Sequence, residues 1–237
     1  MRFLRNTSTD PHFNMSLDEW CFRHLPPGGL FFFVWRNSPS VIIGENQNAE
    51  QEVNLEYLQS KGIALARRIT GGGAVYHDLQ NLNYTIVGRG ASPEPIVAAL
   101  RSFGVDAVLS GRNDIFVDGL KVSGYARRFE GSSEMIHGTL MYDVDIDTLT
   151  KVLDTPQSKL HLKGVSSVRS RVGNLKSLLP FGSIEEFASA LETFLSEYGE
   201  GRGEYVLSPG DLREIERVAD EKYRREEWIY GRQLPVR

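Results

Sequence analysis

RRITGGGAVYHDLQNLNYTIV, residues 67–87, contains two adjacent arginines followed closely by three consecutive glycines. Glycine loses more backbone entropy on folding than any other residue and adds no side chain to a core. Three glycines in a row therefore indicate a place where bare backbone is needed. The β-branched and apolar residues on either side predict strands at residues 63–70 and 81–88.

Two interpretations of the glycine stretch follow from its residues. It lacks the Gly-Lys-Ser/Thr ending of a P-loop and the spacing of a dinucleotide fingerprint. It could be a hairpin loop with exposed arginines at its base. Alternatively, its backbone amides could surround an anion, with a permanently charged guanidinium beside them. Since Arg67 and Arg68 face opposite sides of a strand, we expect only one of them to point at such a ligand.

Composition narrows the class of protein. The chain has 237 residues, a formal net charge of -4 and one cysteine. This charge argues against a general nucleic-acid binder, and a lone cysteine excludes an internal disulfide and Cys-rich zinc sites. No apolar run approaches the roughly 20 residues of a membrane span, and the N-terminus has no signal-peptide pattern. We therefore expect a cytoplasmic protein that associates with neither nucleic acid nor membrane.

The order of predicted elements indicates an α+β fold, with a largely antiparallel sheet and helices packed against it. Strand patterns dominate residues 30–145, and helical patterns dominate the flanks. The apolar runs at residues 30–35 and 40–44 are expected to pair with each other across a turn. A helix is expected at residues 15–25, with Asn14 or Ser16 as its cap. The lone Cys21 is expected to be a buried apolar residue of this helix.

Five sequence blocks carry a family resemblance. RRITGGGAVYHDLQNLNYTIV resembles the signature of the lipoate–protein ligases, and GRNDIFVDGLKVSGYARR (residues 111–128) resembles their second block. The segments IHGTLMYDVD (136–145), KGVSSVRSRVGNL (163–175) and EEWIYGR (226–232) resemble three further blocks, in the family order. The resemblance implies a biotin/lipoate ligase-like catalytic domain spanning residues 1–237. It also implies that the small C-terminal accessory domain of bacterial ligases is absent.

The resemblance also implies a chemistry. Such ligases use ATP, with Mg²⁺ as its partner, to convert lipoate to lipoyl-adenylate. They then transfer the lipoyl group to a lysine of an acceptor protein. The acceptors are lipoyl domains of 2-oxoacid dehydrogenase complexes or a glycine-cleavage carrier protein. One-domain relatives borrow the accessory function from a separate protein or act on preformed acyl donors, so a separate accessory-domain protein is a further expected partner.

Lys121 matches the essential lysine of the family, where the resemblance implies contact with the α-phosphate and the acyl carbonyl oxygen. Arg68 matches an adenylate-contacting arginine. His77 and His137 are either ligand contacts or polar residues hydrogen-bonded beneath the loop. Asn83 is interpreted as a structural strand residue, with a ligand role as the alternative.

Other positions are expected to line the nucleotide and lipoyl site. Asn113 and Asp114 either help to position magnesium or phosphates, or form an exposed turn with an aspartate cap. No metal-ligating set of side chains is expected. The remaining expected site residues are Gly72, Gly73, Ala74, Val75, Tyr76, Ser123 and Ala126.

Two positions depart from the family pattern. Tyr125 stands where the family has Ser or Thr, so a bulky phenol could narrow the lipoyl tunnel or cap the nucleotide. Gln80 replaces a glycine before NLNY. The first departure leaves the choice between lipoate and octanoate open.

Alternative functions remain for this fold. An octanoyl or lipoyl acyltransferase normally needs a cysteine nucleophile, and the position of Cys21 in a helix argues against that role. Biotin ligases carry a GRGRxGR-type motif that is missing from this sequence. A non-catalytic protein that binds lipoyl domains or lipoate is a third possibility, disfavoured by the retained Lys121 and Arg68.

Overall fold

The computed structural model describes residues 1–111, 113–153, 172–199, 201 and 203–231. Its strands are β1 (Arg2–Leu4), β2 (Phe31–Trp35), β3 (Ser40–Ile43), β4 (Ala64–Arg67), β5 (Val75–His77), β6 (Asn81–Val87), β7 (Val108–Ser110), β8 (Asp114–Val117), β9 (Leu120–Glu130), β10 (Ser133–Met141) and β11 (Glu204–Tyr205). Its α-helices are α1 (Pro11–His24), α2 (Ala49–Glu52), α3 (Leu55–Lys61), α4 (Glu94–Ser102), α5 (Ile146–Val152), α6 (Ile184–Glu197), α7 (Pro209–Val218) and α8 (Glu226–Tyr230). A π-helical segment, Ala219–Tyr223, connects α7 towards α8.

A large sheet forms the centre of the molecule. Its described strands lie in the order β11-β1-β2-β6-β10-β9-β8-β7. The pairs from β2 to β7 are antiparallel, whereas β1 pairs in parallel with both β2 and β11. The turns of the β8–β9 and β9–β10 hairpins place Asp118, Gly119 and Gly131 at positive φ. The predicted fold class is therefore confirmed.

A second sheet of three strands, in the order β4-β3-β5, is separate from the large sheet. The predicted pairing of residues 30–35 with residues 40–44 is wrong, because β2 belongs to the large sheet and β3 to the small one. The turn between them carries the chain from one sheet to the other. The glycine stretch likewise joins β4 to β5 on either side of β3, and is no hairpin between the strands predicted at 63–70 and 81–88.

Helix α1 starts earlier than the sequence pattern indicated. Asp10 is its N-cap and accepts a hydrogen bond from the backbone of His12, and Pro11 occupies the first turn. The predicted caps, Asn14 and Ser16, are buried inside the helix instead. Cys21 is fully buried there, as expected.

Three clusters of buried side chains make up the core. The first packs α4 and α6 against one face of the large sheet. The second fills the opposite face with residues of α1 and of the C-terminal helical segment. The third lies between the small sheet, α3 and α5. Because the second and third clusters leave a gap above the centre of the large sheet, the site lies there.

Candidate active site

A cavity lies between the large sheet and the segment that runs from the glycines into β5. Its lining residues are Met15, Trp35, Ile42, Arg68, Gly72, Gly73, Ala74, Val75, His77, Asn83, Asn113, Lys121, Gly124, Tyr125, Ala126, His137, Gly138 and Thr139. The predicted residues Arg68, Gly72, Gly73, Ala74, Val75, His77, Asn113, Lys121, Ala126 and His137 are therefore brought together.

Strand register builds the floor of this cavity. Trp35 pairs with Asn83, and Asn83 pairs with Thr139 on the next strand. The hydroxyl of Thr139 accepts a hydrogen bond from the backbone of Gly124 at 3.2 Å, which extends the row to β9. Directly paired residues point to the same face of a sheet. Residues on one face of four neighbouring strands thus form a row across the sheet, with Trp35 at one end and Gly124 at the other.

Arg68 holds the glycine stretch in place. It is 6% exposed, and its guanidinium donates to the carbonyls of Gly71 and Gly73 at 2.8 Å each. Gly72 has φ of 100°, and a Cβ there would lie 2.9 Å from the guanidinium. Burial lowers the pKa of Arg68 to about 10, which leaves it charged at neutral pH. The backbone of the glycine stretch is thus held against the buried guanidinium of Arg68.

Arg67 attaches neighbouring backbone segments to each other and does not face the cavity. It is fully buried, and its guanidinium donates to the carbonyls of Gly44, Gln47 and Ile229. These bonds attach the C-terminal helix α8 to β4 and to the loop after β3. Only one of the two arginines faces the cavity, as predicted. The alternative of exposed arginines at a hairpin base is wrong, because both side chains are buried.

A buried polar network connects helix α1 to the glycine stretch. His137 Nδ1 lies 2.6 Å from a carboxylate oxygen of Asp18, and its Nε2 lies 2.7 Å from the hydroxyl of Thr70. Thr70 also accepts from Arg68 Nε at 3.0 Å. The hydroxyl of Thr85 donates to the other Asp18 oxygen at 2.7 Å. His137 is therefore both a lining residue and a hydrogen-bonded support of the loop.

The histidine of β5 presents an unpaired atom to the cavity. His77 Nδ1 contacts Asn37 Nδ2 at 3.1 Å, whereas Nε2 has no hydrogen-bond partner among the described residues. Asn83 is a buried strand residue, as predicted, yet it also lines the cavity. Its Nδ2 also lacks a partner in the described part of the chain. Such buried unpaired atoms are rare in folded proteins, and binding a ligand is one explanation for them.

Lys121 lies at the other end of the cavity. Its Nζ is 2.8 Å from Asp114 Oδ1, and the side chain is about one third exposed. A Cβ on Gly124 would lie 3.1 Å from both Cε and Nζ of this lysine, so the bare glycine gives the lysine room to cross the sheet. Asn113 is fixed nearby, since its amide donates to the carbonyl of Tyr125 at 3.0 Å. The lysine thus has a defined position and some access to solvent.

Three predicted residues do not line the cavity. Tyr76 points into the third core cluster on the other side of β5. Asp114 lies behind the lining residues Lys121 and Gly124 and pairs with both of them. Ser123 is buried on the opposite face of β9 from Gly124. The family blocks extend over both faces of each strand, so a motif alone does not separate lining residues from supporting ones.

The two positions that depart from the family pattern are Tyr125 and Gln80. Tyr125 lines the cavity and an adjoining recess, where Arg127 lies 5.7 Å from its ring. Gln80 lies in a turn without positive φ, so glycine is not needed there. Parts of three family blocks lie outside the described residues. These parts are residues 163–171, Arg112 and Arg232.

No group of three or more His, Cys, Asp or Glu side chains within the described residues is placed to hold a metal ion. None of the helices in the described ranges has the length and apolar character needed to cross a membrane.

Sequence comparison places this chain beside proteins of known activity. The model of the lipoyl protein ligase A/B catalytic domain matches residues 10–196. Lipoate-protein ligase LplJ of Bacillus subtilis is 39% identical over 245 residues, which cover 98% of this chain and 74% of the relative. The match therefore extends over nearly the whole chain.

Solved structures with the same fold carry informative ligands and partners. A bi-partite lipoate protein ligase of Thermoplasma acidophilum, studied with its E2 lipoyl domain, has a TM-score of 0.88 and 32% identity, covering 99% of this chain and 98% of that one. A lipoate protein ligase structure from the same organism with bound lipoic acid has a TM-score of 0.84 and 31% identity, covering 97% and 98%. Lipoate-protein ligase A bound with ATP has a TM-score of 0.85 and 31% identity, covering 98% and 99%.

Proposed function

The chain belongs to the family of lipoyl protein ligase A/B catalytic domains, and from this we propose that it joins lipoate to a protein lysine in two steps. In the first, a lipoate carboxylate oxygen attacks the α-phosphorus of ATP, and pyrophosphate leaves. In the second, the ε-amine of an acceptor lysine attacks the acyl carbonyl carbon, loses a proton, and AMP leaves. The product is an amide.

The position of Lys121 is the observation that carries this proposal. Its ammonium group lies above Gly124 at the solvent-accessible end of a cavity with largely apolar walls. An acyl chain lying along the floor would bring its carboxylate to this cation. There Lys121 would offset the repulsion between the carboxylate and a phosphate, and would stabilise the charge that develops at the reacting centre.

The glycine stretch is suited to the nucleotide. A Cβ on Gly71 or Gly73 would meet no atom of the described residues within 4 Å. Packing within the protein therefore does not explain glycine at these two positions, whereas a ligand in close contact with the backbone would. The adjoining recess lined by Gly71, Gly72, Asn113 and Arg127 offers backbone amides and a cation for phosphates. We place the triphosphate there.

Magnesium enters this scheme with ATP. Mg²⁺ keeps several water ligands and commonly binds through one or two carboxylates together with substrate phosphates. The carboxylate of Asp114, already paired with Lys121, lies at this end of the cavity. We propose that the carboxylate of Asp114 orients Lys121 and faces the metal–nucleotide complex.

The acceptor is proposed to be a lipoyl domain. The support is the Thermoplasma relative, which was studied with its E2 lipoyl domain. A glycine-cleavage carrier protein would present the same chemistry. That relative is described as bi-partite, so a separate accessory protein is a proposed partner for the first step.

The half-reactions can be tested separately. We expect the purified chain to catalyse lipoate-dependent exchange of pyrophosphate into ATP, alone or with an accessory protein, and to transfer lipoyl groups from supplied lipoyl-adenylate. Lys121→Ala should abolish both. Lys176→Ala is the matched control, because Lys176 also pairs with an aspartate, at 2.7 Å, but lies outside the cavity. The proposal would be contradicted if Lys121→Ala retained both activities, or if the wild type had neither of them.

A cysteine-dependent acyltransferase is disfavoured by the structure. Cys21 is fully buried, and burial raises the pKa of its thiol well above the usual value. A thiol nucleophile must be accessible and readily ionised. Cys21→Ser should therefore leave both half-reactions intact.

A further inference from the structure

The cavity contains a polar atom that the proposed reaction does not use. His77 lines the cavity and is 3% exposed, and its Nε2 has no hydrogen-bond partner among the described residues. The neighbouring walls are formed by Trp35, Met15 and Val75. An imidazole nitrogen in such surroundings is a specific recognition element when the ligand completes its hydrogen bond.

A chain of asparagines fixes the tautomer of His77. Asn14 Nδ2 lies 3.1 Å from the backbone carbonyls of Ser8 and Arg36, which can only accept, and 2.8 Å from Asn37 Oδ1. Asn37 therefore directs its own Nδ2 at His77 Nδ1. Since Nδ1 accepts this hydrogen bond, the hydrogen of the neutral imidazole lies on Nε2.

The imidazole also remains neutral. Burial lowers the pKa of His77 to about 3, with a smaller contribution from the charge of Arg68. At neutral pH the ring therefore has a single N–H, and this Nε2–H is the one without a partner among the described residues.

Strand geometry places His77 far from the reacting end. Lys121 lies above Gly124, and three strand spacings of about 4.8 Å separate Gly124 from Trp35 on the same row, or about 14 Å in all. The ring of Trp35 meets that of His77 edge to face, with 6.0 Å between centroids. A substrate whose carboxylate lies at Lys121 would thus present its remote end to His77.

We propose that His77 selects acyl substrates that carry a hydrogen-bond acceptor at the end remote from the carboxylate. The dithiolane sulfurs of lipoate are weak acceptors of this kind, whereas the methyl end of octanoate would leave Nε2–H unpaired. Asn83 also lines the cavity, and its Nδ2, which likewise has no partner among the described residues, would support the same preference. This inference rests on the proposed function, because it takes Lys121 as the carboxylate end.

The test compares the affinities for lipoate and octanoate, measured by calorimetry on the full chain. We expect the wild type to bind lipoate more tightly, and His77→Phe to reduce the lipoate-to-octanoate affinity ratio by about 5-fold, as loss of one neutral hydrogen bond implies. His77→Gln retains an amide N–H and should keep part of the preference. Ser40→Ala is the control, because Ser40 pairs with His77 in register and has an unpaired buried hydroxyl, but does not line the cavity.

The outcomes separate the two proposals. If His77→Phe binds both acids with an unchanged ratio, the selection by His77 is wrong and the ligase proposal stands. If the wild type binds neither acid, the ligase proposal itself fails, and this inference with it. Nitrogen NMR of the wild type tests the same point without a mutation. We expect a proton on Nε2 whose resonance shifts with lipoate and not with octanoate, whereas a proton on Nδ1 would overturn the inference.

Discussion

Replacing Asp18 by asparagine should weaken both the fold and the glycine stretch. Asp18 is 1% exposed, and its two carboxylate oxygens meet His137 Nδ1 at 2.6 Å and the hydroxyl of Thr85 at 2.7 Å. Both partners can donate to a carboxylate. An asparagine has only one accepting oxygen, so one of the two partners must face an amide N–H instead.

The size of the effect follows from the bonds at stake. If the amide faces His137, the imidazole must move its proton to Nε2, which now faces the hydroxyl of Thr70. That hydroxyl already accepts from Arg68 Nε, so its own hydrogen loses its partner. One charge-assisted hydrogen bond is lost and one donor is left unpaired. We expect the free energy of unfolding to fall by about 2 kcal/mol.

Urea denaturation and steady-state kinetics measure the two effects together. The kinetic effect should be a lower kcat/KM for pyrophosphate exchange, because Arg68 holds the carbonyls of Gly71 and Gly73. Ser16→Ala is the matched control on the same helix. Ser16 is fully buried, and its hydroxyl donates to the carbonyl of Ile215, away from the cavity.

The control should lose about 1 kcal/mol of stability with unchanged kinetics. If Asp18→Asn also leaves kcat/KM unchanged, the network does not support the loop. If it leaves the free energy of unfolding unchanged as well, the carboxylate has no structural role, and the reasoning above is refuted.

Three further predictions concern the glycines and the histidine of the site. Gly72→Ala should destabilise the fold by about 1 kcal/mol or more, because the φ of Gly72 is 100°. A Cβ on Gly73 would meet no atom within 4 Å in the described part of the chain, so Gly73→Ala should leave urea stability unchanged and raise KM for ATP. Equal stability losses in the two variants would contradict this. In Gly124→Ala the added Cβ would lie 3.1 Å from Cε and Nζ of Lys121, so this variant should have a lower kcat and unchanged folding. An unaltered kcat would show that Lys121 does not need the space over this glycine. The pKa of His77 falls from 6.5 to about 3 on folding, so between these values the unfolded chain binds the extra proton and stability falls as the pH falls. From about pH 7 to about pH 5, the wild type should lose about 2 kcal/mol more than His77→Gln in urea melts, and parallel pH profiles would contradict the neutral, buried histidine.

The elements whose signals are local were predictable from the sequence. The strand β6 lies where a strand was expected, at residues 81–88, and α1 overlaps the helix expected at residues 15–25. The predicted antiparallel character also holds for the centre of the large sheet. These features depend on residues that are close together in the chain.

Long-range pairing was not predictable in the same way. The apolar runs of β2 and β3 look like two halves of a hairpin, yet each finds a better-matched partner elsewhere, in β6 and β4. The short strand β1 pairs with residues about 200 positions away, in β11. Nothing in the residues of β1 alone indicates that partner.

The candidate site shows a similar division. The family blocks identified Lys121, Arg68 and the glycines, but Met15, Trp35 and Ile42 line the cavity from elements that carry no motif. Asp18 is an ordinary helical aspartate in the sequence, and only the packing of α1 onto the sheet brings it to His137. The alternation of Trp35 and Asn83 with core residues is the signal that could have located the floor.

Mass spectrometry of an acceptor is the most direct test of the central claim. The purified chain would be incubated with lipoate, ATP, Mg²⁺ and an isolated lipoyl domain, with an accessory protein supplied in a parallel reaction. We predict that the lipoyl domain gains the mass of one lipoyl group on its acceptor lysine, that wild type and Lys176→Ala support this gain, and that Lys121→Ala does not. An unmodified lipoyl domain in every reaction, including one supplied with lipoyl-adenylate, would contradict the claim that this chain is a lipoate–protein ligase.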